Sequence, residues 1–492
     1  MGKRNCNNNA QGDSSRLVKN TTIYAVGDII PKLLSFVVFP VLTSYLSPKD
    51  YGIINYVNTL NVFLSILGLL CLNTYYLVFY YRQDSEEARQ RLLGNLSLFV
   101  IGLNVAGSLL LCLLGSLFPH LFSNKIDFYP YIFIGIITNL SGILIIFPSA
   151  LYRVKENPFP LTVLNVLKGV LTTLCTVILV VGYGYKALGV LFSSMVISVF
   201  FGIIFIALTW RETVWNINWR QLRMAFAFSL PLIPGSIAYY LMSMSDRFFI
   251  ERYLDLTQLG IYSTASTLAM VLNVITYGSY KAFEPYIFKI YGTDGFESKF
   301  NKMRNYFLAV ILVGSAGLSI FARDFFRIFA SEQYQTVYFY VPFVEMSVVF
   351  ASFSMLYSTV LTAQGKTKRN SLFTMIGGGL SIIINLLLMP HIGLLSACLA
   401  SILSFGVIMM LSLINSKLYQ GMKRVFAVFL LISTLVAVSV YFIRIENVLL
   451  SVAVRSLILV MIFLIILRSF KMNVIDILYN LKKDEKNYQI NN

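Results

Sequence analysis

Charged side chains within long apolar runs are the feature of this sequence most suited to chemistry. The cations well inside such runs are Lys32, Lys168, Arg247, Lys281 and Arg455. The acids in such runs are Asp28, Asp246, Glu284 and Glu345. A buried cation attracts a phosphate or carboxylate group, and a buried carboxylate can exchange a proton or hold a cation. Ionisable groups are costly in an apolar medium unless they are paired or hydrated, so we expect these side chains to face a bundle interior or a cavity.

The composition shows which medium surrounds these groups. Hydrophobic residues make up 57% of the 492 residues and charged residues only 12%, whereas a soluble domain carries roughly 25% charge. Apolar runs of bilayer length, among them one over 51–80 and one over 225–250, recur about fourteen times. The sequence therefore predicts an all-α polytopic membrane protein with about 14 transmembrane helices.

The distribution of basic residues supports this number of spans. The connections predicted on one side hold 27 of the 39 Lys and Arg residues, those on the other side hold 5, and the spans hold 7. The side whose connections hold more Lys and Arg residues is the cytoplasmic side. We therefore expect a multi-pass protein of the plasma (inner) membrane with both termini in the cytoplasm. The net charge of +17 follows from this topology and indicates no nucleic-acid partner.

Two pairs of short segments repeat at nearly the same spacing. Residues 45–53 read YLSPKDYGI and residues 253–261 read YLDLTQLGI, an offset of 208. Residues 188–194 and 392–398 are also similar, at an offset of 204. Six helices lie between the copies, an even number, so both copies enter the membrane in the same direction. The pattern predicts two six-helix lobes related by a parallel repeat, plus two C-terminal helices.

This repeat predicts the domain organisation. The segments are a cytoplasmic N-terminal tail (1–20), an N-lobe (21–209), an interfacial cytoplasmic linker (210–224), a C-lobe (225–415), two further helices (416–468) and a cytoplasmic C-terminal tail (469–492). The linker carries three Trp and three Arg residues. This composition is typical of a segment that lies at the membrane surface, although simple anchoring by an aromatic belt also accounts for it.

The sequence offers no pattern typical of an enzyme. The five cysteines have no paired spacing, the two histidines lie far apart, and neither a P-loop nor an HExxH motif is present. We therefore expect no metal, no cofactor and no catalytic site. Two similar lobes around a cleft favour transport by alternating access.

Several of the buried charges have a partner nearby in sequence. Asp28 and Lys32 are four residues apart, and Lys281 and Glu284 are three apart, so each pair can neutralise itself on one helix face. The alternative is that Lys32 and Lys281 line a cavity. Tyr277, near Lys281, is a candidate for stacking on a sugar, although Tyr is also common at membrane interfaces.

The other buried charges have no evident partner on their own helix. Lys168 either snorkels or meets an anion, and Arg455 is more consistent with a structural role. Asp246 and Arg247 are adjacent, so they point about 100° apart on a helix and are not expected to pair with each other. Arg247 is a candidate for binding a phosphate in a cleft, and Asp246 is one for anchoring the helix on a tyrosine or a backbone amide.

The order of these motifs resembles that of a known family. The helix from Ile30 to Gly52, the segment from Ser229 to Ser263, and the stretch from Gly365 to Gly393 are similar to the polysaccharide-repeat flippases (Wzx type) of the multidrug/oligosaccharidyl-lipid/polysaccharide exporter (MOP) superfamily. The resemblance implies that the protein moves an undecaprenyl-pyrophosphate-linked sugar repeat unit, in contact with membrane lipid, to the outer leaflet. It also implies a polysaccharide polymerase and a chain-length regulator as partners, in lipopolysaccharide O-antigen, capsule or exopolysaccharide assembly.

Such a substrate needs a cationic, hydrated cavity. The candidate substrate-binding residues are Lys32, Lys168, Arg247, Lys281 and Tyr277. The candidate residues for a coupling ion are Asp28, Asp246, Glu284 and Glu345. A cation-coupled multidrug exporter and a lipid II flippase of the same superfamily are the alternatives.

Overall fold

The fold is helical throughout the part of the chain that the structure describes. The computed structural model describes Ile23, Gly27 and residues 29–472. Within these residues the regular elements are all helices, with no strand. Thirteen helices are long and apolar enough to cross a membrane, and the shorter apolar helix Ile29–Tyr45 precedes them. The prediction of an all-α membrane protein with about fourteen spans is confirmed.

The described α-helices follow one another with short connections. They are α1 (Ile29–Tyr45), α2 (Pro48–Leu69), α3 (Leu72–Phe79), α4 (Glu86–Leu117), α5 (Phe133–Val154), α6 (Pro158–Val177), α7 (Lys186–Thr209), α8 (Trp219–Ser229), α9 (Ile233–Met244), α10 (Asp246–Tyr253), α11 (Leu256–Ile290), α12 (Phe296–Phe329), α13 (Val341–Ala363), α14 (Thr367–Ile392), α15 (Leu394–Ser416), α16 (Met422–Ala437) and α17 (Val448–Ser469).

The repeated motif of the sequence forms a helix start in both copies. The hydroxyl of Ser47 accepts a hydrogen bond from the backbone N–H of Asp50 at 3.3 Å, and the Asp50 carboxylate accepts one from the Ser47 N–H at 2.9 Å. In the second copy the Asp255 carboxylate accepts from the Gln258 N–H at 2.7 Å. These caps satisfy backbone donors that have no partner within the helix. The short polar stretch therefore fixes where α2 and α11 begin.

The glycines of the two motif copies bring α2 and α11 into backbone contact. A Cβ atom added to Gly52 would overlap the carbonyl oxygen of Leu256, and one added to Gly260 would overlap that of Pro48. Gly52 and Gly260 are 208 positions apart, which is the offset of the repeat. Pro48 and Leu256, whose carbonyl groups they face, are also 208 positions apart. A reciprocal contact of this kind is what a two-fold relation between two copies requires. The contact therefore supports the parallel repeat.

Two predicted spans are interrupted. The single helix expected over 51–80 ends at Leu69, and Leu70 and Cys71 adopt left-handed backbone angles, with φ of 48° and 58°. The side-chain amide of Asn104 in α4 donates a hydrogen bond to the Gly68 carbonyl at 3.1 Å. At the break, this backbone carbonyl therefore has a hydrogen-bond partner from another helix. The span expected over 225–250 is divided into α8, α9 and α10. Pro231, which has no N–H, lies in the first break.

The described contacts group the chain into two compact units. The first unit runs to Ser263 and includes Asn385–Leu394, and the second comprises Thr264–Ile384 and the chain from Leu395 onward. The division into lobes at 21–209 and 225–415 stays a prediction. In the first unit, buried side chains of α3, α4, α5 and α8 form one apolar core, to which Tyr76, Leu92, Phe147 and Leu222 contribute.

Candidate functional site

Asp246 and Arg247 form an ion pair at the start of α10. Arg247 Nη1 lies 3.1 Å from Asp246 Oδ1, and the Arg247 side chain is only 11% exposed. The Tyr262 hydroxyl donates a hydrogen bond to Asp246 Oδ2. The Tyr262 ring centre also lies 5.9 Å from the guanidinium carbon of Arg247, within range of a cation–π contact. The charge of Arg247 is therefore compensated locally.

The prediction that these adjacent residues would not pair is wrong. Arginine carries its charge on a long stem, and here the guanidinium folds back so that Nη1 also lies 3.4 Å from the Ser243 carbonyl oxygen. The Asp246 carboxylate is held at the helix start by the Arg247 backbone N–H, at 2.9 Å. Asp246 thus contacts both a tyrosine and a backbone amide, the two anchors considered for it.

Lys32 and Lys168 lie on two helices that are in contact. A Cβ atom added to Gly169 would lie 2.8 Å from Pro31 Cβ, so α1 and α6 pack closely at the residues next to both lysines. Lys168 is half-buried and makes no ion pair or side-chain hydrogen bond with the residues that the structure describes. Lys32 is exposed. The proposed partner of Lys32, Asp28, lies outside the described residues.

The second unit contains Tyr277, Lys281 and Glu284 on α11. Glu284 accepts a hydrogen bond from the Tyr280 hydroxyl at 2.9 Å, and that hydroxyl also lies 2.6 Å from the Thr359 hydroxyl of α13. No ion pair joins Lys281 to Glu284 in the described chain, so of the two alternatives for Lys281 the pairing with Glu284 is not formed. The tyrosine one turn before Glu284 takes the place of the lysine as its partner. Lys281 and Tyr277 are exposed.

Glu345 on α13 is fully buried. It has 0% exposure, and neither carboxyl oxygen has a hydrogen-bond partner among the residues described. A charged carboxylate without partners in an apolar interior is very unfavourable, so this position favours the neutral acid. Of the four candidates for a coupling ion, Asp246 and Glu284 have partners and Asp28 is outside the described residues. Among the described candidates, Glu345 is therefore the one whose carboxyl group has no hydrogen-bond partner.

Arg455 has a structural environment, as expected. Its guanidinium lies 3.3 Å from the Asp324 carboxylate and donates to the Ile320 carbonyl. The Ser451 hydroxyl donates to Asp324 at 2.9 Å. These contacts join α12 to α17 within the second unit. An ion pair this well buried fixes one geometry between two helices.

Glu251 is a buried carboxylate that sequence reasoning missed. It lies 3% exposed near the end of α10, where Oε1 accepts hydrogen bonds from the Ser123 hydroxyl at 2.7 Å and from the N–H groups of Asn124 and Lys125 at 3.2 Å each. Lys125 Nζ in turn donates to the Glu251 carbonyl at 2.6 Å. The contact ties the loop before α5 to α10. Sequence reasoning could not find this contact because Ser123, Asn124 and Lys125 lie in a loop 126–128 positions before Glu251.

A second polar cluster holds the linker between α7 and α8. Lys155 pairs with Glu212 of the linker and lies 3.8 Å from Glu86 at the start of α4. Burial lowers the pKa of Lys155, but the hydrogen bond to Glu212 and the charges of both glutamates outweigh it, so the pKa is raised above its ordinary value. Lys155 therefore stays charged at neutral pH, and the linker stays attached to the ends of α4 and α5.

The two units therefore differ in what they offer to a ligand. The first unit carries the half-buried Lys168 next to α1, and the second carries an exposed lysine and tyrosine together with the buried Glu345. In the described part of the chain, no three His, Cys, Asp or Glu side chains are grouped as a metal ion requires.

Comparison with solved structures identifies the class of fold. A lipid II flippase MurJ in an inward closed conformation matches with a TM-score of 0.70 at 14% identity, over 92% of this chain and 100% of that chain. An inward-facing multidrug resistance MATE family transporter of the MOP superfamily matches with a TM-score of 0.62 at 14% identity, over 80% of this chain and 97% of that chain. The chain thus has the fold of the MOP-superfamily flippases and exporters.

The sequence comparisons give the family. The family described as polysaccharide biosynthesis protein matches residues 17–291, more than half of the chain, and the MatE family matches residues 231–387. The chain belongs to the polysaccharide biosynthesis protein family. Two proteins of Haemophilus influenzae are similar over 56% of this chain: an uncharacterized membrane protein at 25% identity and Lsg locus putative protein 1 at 23%. The matches span 65% and 66% of the lengths of those proteins.

Proposed function

We propose that this protein moves undecaprenyl-pyrophosphate-linked oligosaccharide repeat units from the inner to the outer leaflet of the bacterial plasma membrane. Transport is by alternating access and serves O-antigen, capsule or exopolysaccharide assembly, as in the Wzx-type flippases. Membership of the polysaccharide biosynthesis family supports the substrate class. A polysaccharide polymerase and a chain-length regulator are the partners that such a product requires.

The surroundings of Lys168 carry this proposal. A half-buried ammonium group in a membrane-spanning helix, with no anionic partner among the described residues, needs water or an anion from outside the chain. Lys32 lies on the adjoining helix α1, next to the contact between Pro31 and Gly169. Two cations near one helix–helix contact suit the pyrophosphate of the lipid carrier, whose charge one lysine alone would balance only in part.

Arg247 contributes through an exchange of partners. In its present pairing with Asp246 the guanidinium is neutralised. A pyrophosphate group competes with that carboxylate, because the guanidinium fork binds phosphate oxygens with two parallel hydrogen bonds. The Tyr262 hydroxyl continues to donate to Asp246 when the arginine leaves, which lowers the cost of the exchange.

Tyr277 and Lys281 are the proposed contacts for the glycan. Both are exposed and lie four residues apart on α11, so they lie on the same helix face. The tyrosine ring offers a flat apolar surface and a hydroxyl group, and the ammonium group offers three hydrogen-bond donors. These are the groups that a polar sugar with acidic substituents requires.

A direct test separates flipping from the alternatives. Deletion of the gene is expected to leave lipid-linked repeat units on the cytoplasmic leaflet, where externally added glycosidase cannot reach them. Lys168→Met is expected to reproduce the defect, because loss of a charge-assisted hydrogen bond weakens anion binding by about 1.5–3 kcal/mol, tenfold or more. Lys168→Arg should retain partial output, and Lys302→Met, at an exposed lysine near the start of α12, is the matched control.

Other outcomes point to other functions. Accumulation of repeat units on the outer leaflet contradicts flipping. Accumulation of lipid II instead of repeat units identifies the substrate as the cell-wall precursor. Normal glycan output together with sensitivity to cationic drugs identifies a cation-coupled exporter, the candidate that the unpartnered carboxyl of Glu345 favours.

A further inference from the structure

An apolar groove opens beside the linker of the first unit. Its volume is about 600 Å³, within the range of roughly 300–1,000 Å³ for small-molecule sites. The walls come from three membrane-spanning helices, with Ile101 of α4, Leu144 of α5 and Ile206 of α7. Trp210, Arg211 and Trp215 of the linker lie at one end, which we call the groove mouth.

The groove mouth is held in place by hydrogen bonds. The Thr213 hydroxyl donates to the Thr209 carbonyl at 2.8 Å, and the Val214 N–H donates to the Gln90 carbonyl of α4 at 3.2 Å. The pairing of Lys155 with Glu212, described above, adds an ionic tie next to Arg211. The linker therefore presents its side chains from a fixed backbone, as a binding site requires.

The groove mouth also carries polar groups without partners. Arg211 is exposed and makes no ion pair within the described chain. The Trp215 indole N–H is buried and has no hydrogen-bond acceptor among the described residues. The rings of Trp210 and Trp215 lie 5.1 Å apart. A buried donor without an acceptor is unfavourable, so an acceptor supplied from outside the chain would stabilise this end of the groove.

The chemistry of the whole groove fits an amphiphile with a negative head. The apolar walls accept a hydrocarbon chain, the guanidinium attracts an anion, and the indole donates a hydrogen bond. Ile203 and Trp210 are 62% and 58% exposed, so the groove faces the lipid. Tryptophan is enriched at the height of lipid headgroups, and arginine binds phosphate with a bidentate fork.

We propose that this groove is a binding site for an anionic glycerophospholipid of the cytoplasmic leaflet. One acyl chain lies along Ile101, Leu144 and Ile206, and the phosphate accepts hydrogen bonds from Arg211 and the Trp215 indole. The lipid links α4, α5 and α7 to the linker. The assignment to the cytoplasmic leaflet rests on the orientation in the proposed function, whereas binding itself does not. The groove contains none of the proposed substrate-binding residues.

Lipid binding is measured on the purified full chain in detergent, without any transport assay. Phosphatidylglycerol and phosphatidylcholine are titrated separately, and bound lipid is counted by native mass spectrometry. Phosphatidylglycerol is expected to bind more tightly than phosphatidylcholine. Arg211→Gln should weaken phosphatidylglycerol binding by about tenfold, and Trp215→Phe by a smaller factor, because each removes a donor to the phosphate.

Arg220→Gln is the matched control, because Arg220 is an exposed arginine at the start of α8, directly after the linker, that does not line the groove. Binding by this variant should equal that of the wild-type protein. Equal losses in Arg211→Gln and Arg220→Gln would show general attraction to a basic surface and overturn the proposal. Unchanged binding in Arg211→Gln, or equal binding of the two lipids, would overturn it as well. A failure of flipping with intact lipid binding would affect only the proposed function.

Discussion

At the scale of single residues, the buried carboxyl groups differ in the number of hydrogen bonds that they accept. Asp246 accepts three hydrogen bonds, two from Arg247 and one from Tyr262. Glu345 accepts none within the described chain. A buried carboxyl without hydrogen-bond partners, such as that of Glu345, is more stable when it carries a proton. Among the carboxyl groups that the structure describes, Glu345 is therefore the one best suited to gain and lose a proton between two conformations, as proton-coupled transport would require.

Replacement of Glu345 tests this role. Glu345→Gln preserves the shape of a protonated carboxyl but removes its ability to release a proton. The variant is expected to fold and insert normally and to lose most of the flipping that depends on a pH gradient, measured in vesicles with an imposed gradient. Glu332→Gln, at an exposed position, should transport normally. Full gradient-driven transport by Glu345→Gln would assign Glu345 a structural role only.

The sequence predicted the burial of Asp246, Glu345 and Arg455. It did not predict that Lys32 and Lys281 are exposed, nor which partners the buried charges have. Lys168 and Glu345 are conspicuous because each is a charge in an apolar run. The pair of Asp246 and Arg247 was missed because helix geometry predicts the direction of Cβ and not the path of a long side chain. The contact of Glu251 with Ser123 depends on loops that are close only in the fold. Local spacing carries no information about such contacts.

At the scale of helices, hydropathy predicted the spans, and the two repeated segments coincide with the starts of α2 and α11. The caps at Ser47 and Asp255 lie in the repeated segments that were recognised from the sequence. The break after Leu69 was not predicted, because the residues around it are as apolar as those of an unbroken helix. The Asn104 amide that bonds the Gly68 carbonyl comes from another helix. A break with such a tertiary partner is invisible to hydropathy.

The contact between α2 and α11 leads to a prediction at this scale. Gly52→Ala and Gly260→Ala each place a methyl group where a backbone carbonyl already lies, so the helices must separate. The expected loss of stability is about 1–3 kcal/mol, seen as earlier unfolding of the detergent-solubilised protein on heating or in denaturant.

Gly278→Ala on the same helix α11 is the control, because no atom lies within 4 Å of its added Cβ. That variant should be neutral or gain up to about 1 kcal/mol from the higher helix propensity of alanine. Equal behaviour of the alanine variants at 52, 260 and 278 would show that the close approach of the two backbones contributes nothing to stability.

At the scale of the whole molecule, the positions of basic residues predict which connections face the cytoplasm. The test uses single cysteines in a background with the five native cysteines replaced by serine. A membrane-impermeant thiol reagent is expected to label His120→Cys in intact cells and Lys299→Cys only after permeabilisation. Both side chains are exposed, His120 between α4 and α5 and Lys299 at the start of α12, and these two ends are predicted to lie on opposite sides of the membrane. The reverse pattern would invert the topology, and labelling of both in intact cells would require a different number of spans.

The reciprocal contact of Gly52 with Gly260 has a consequence for which residues can occupy these two positions. Where helices meet through side chains, a larger residue on one helix can be accommodated by a smaller one on the other. At this contact each glycine faces a backbone carbonyl oxygen, that of Leu256 or of Pro48, which no substitution on the other helix can make smaller. The two positions therefore admit only glycine as long as the helices keep this spacing, and the constraint lies where the two copies of the repeated motif meet.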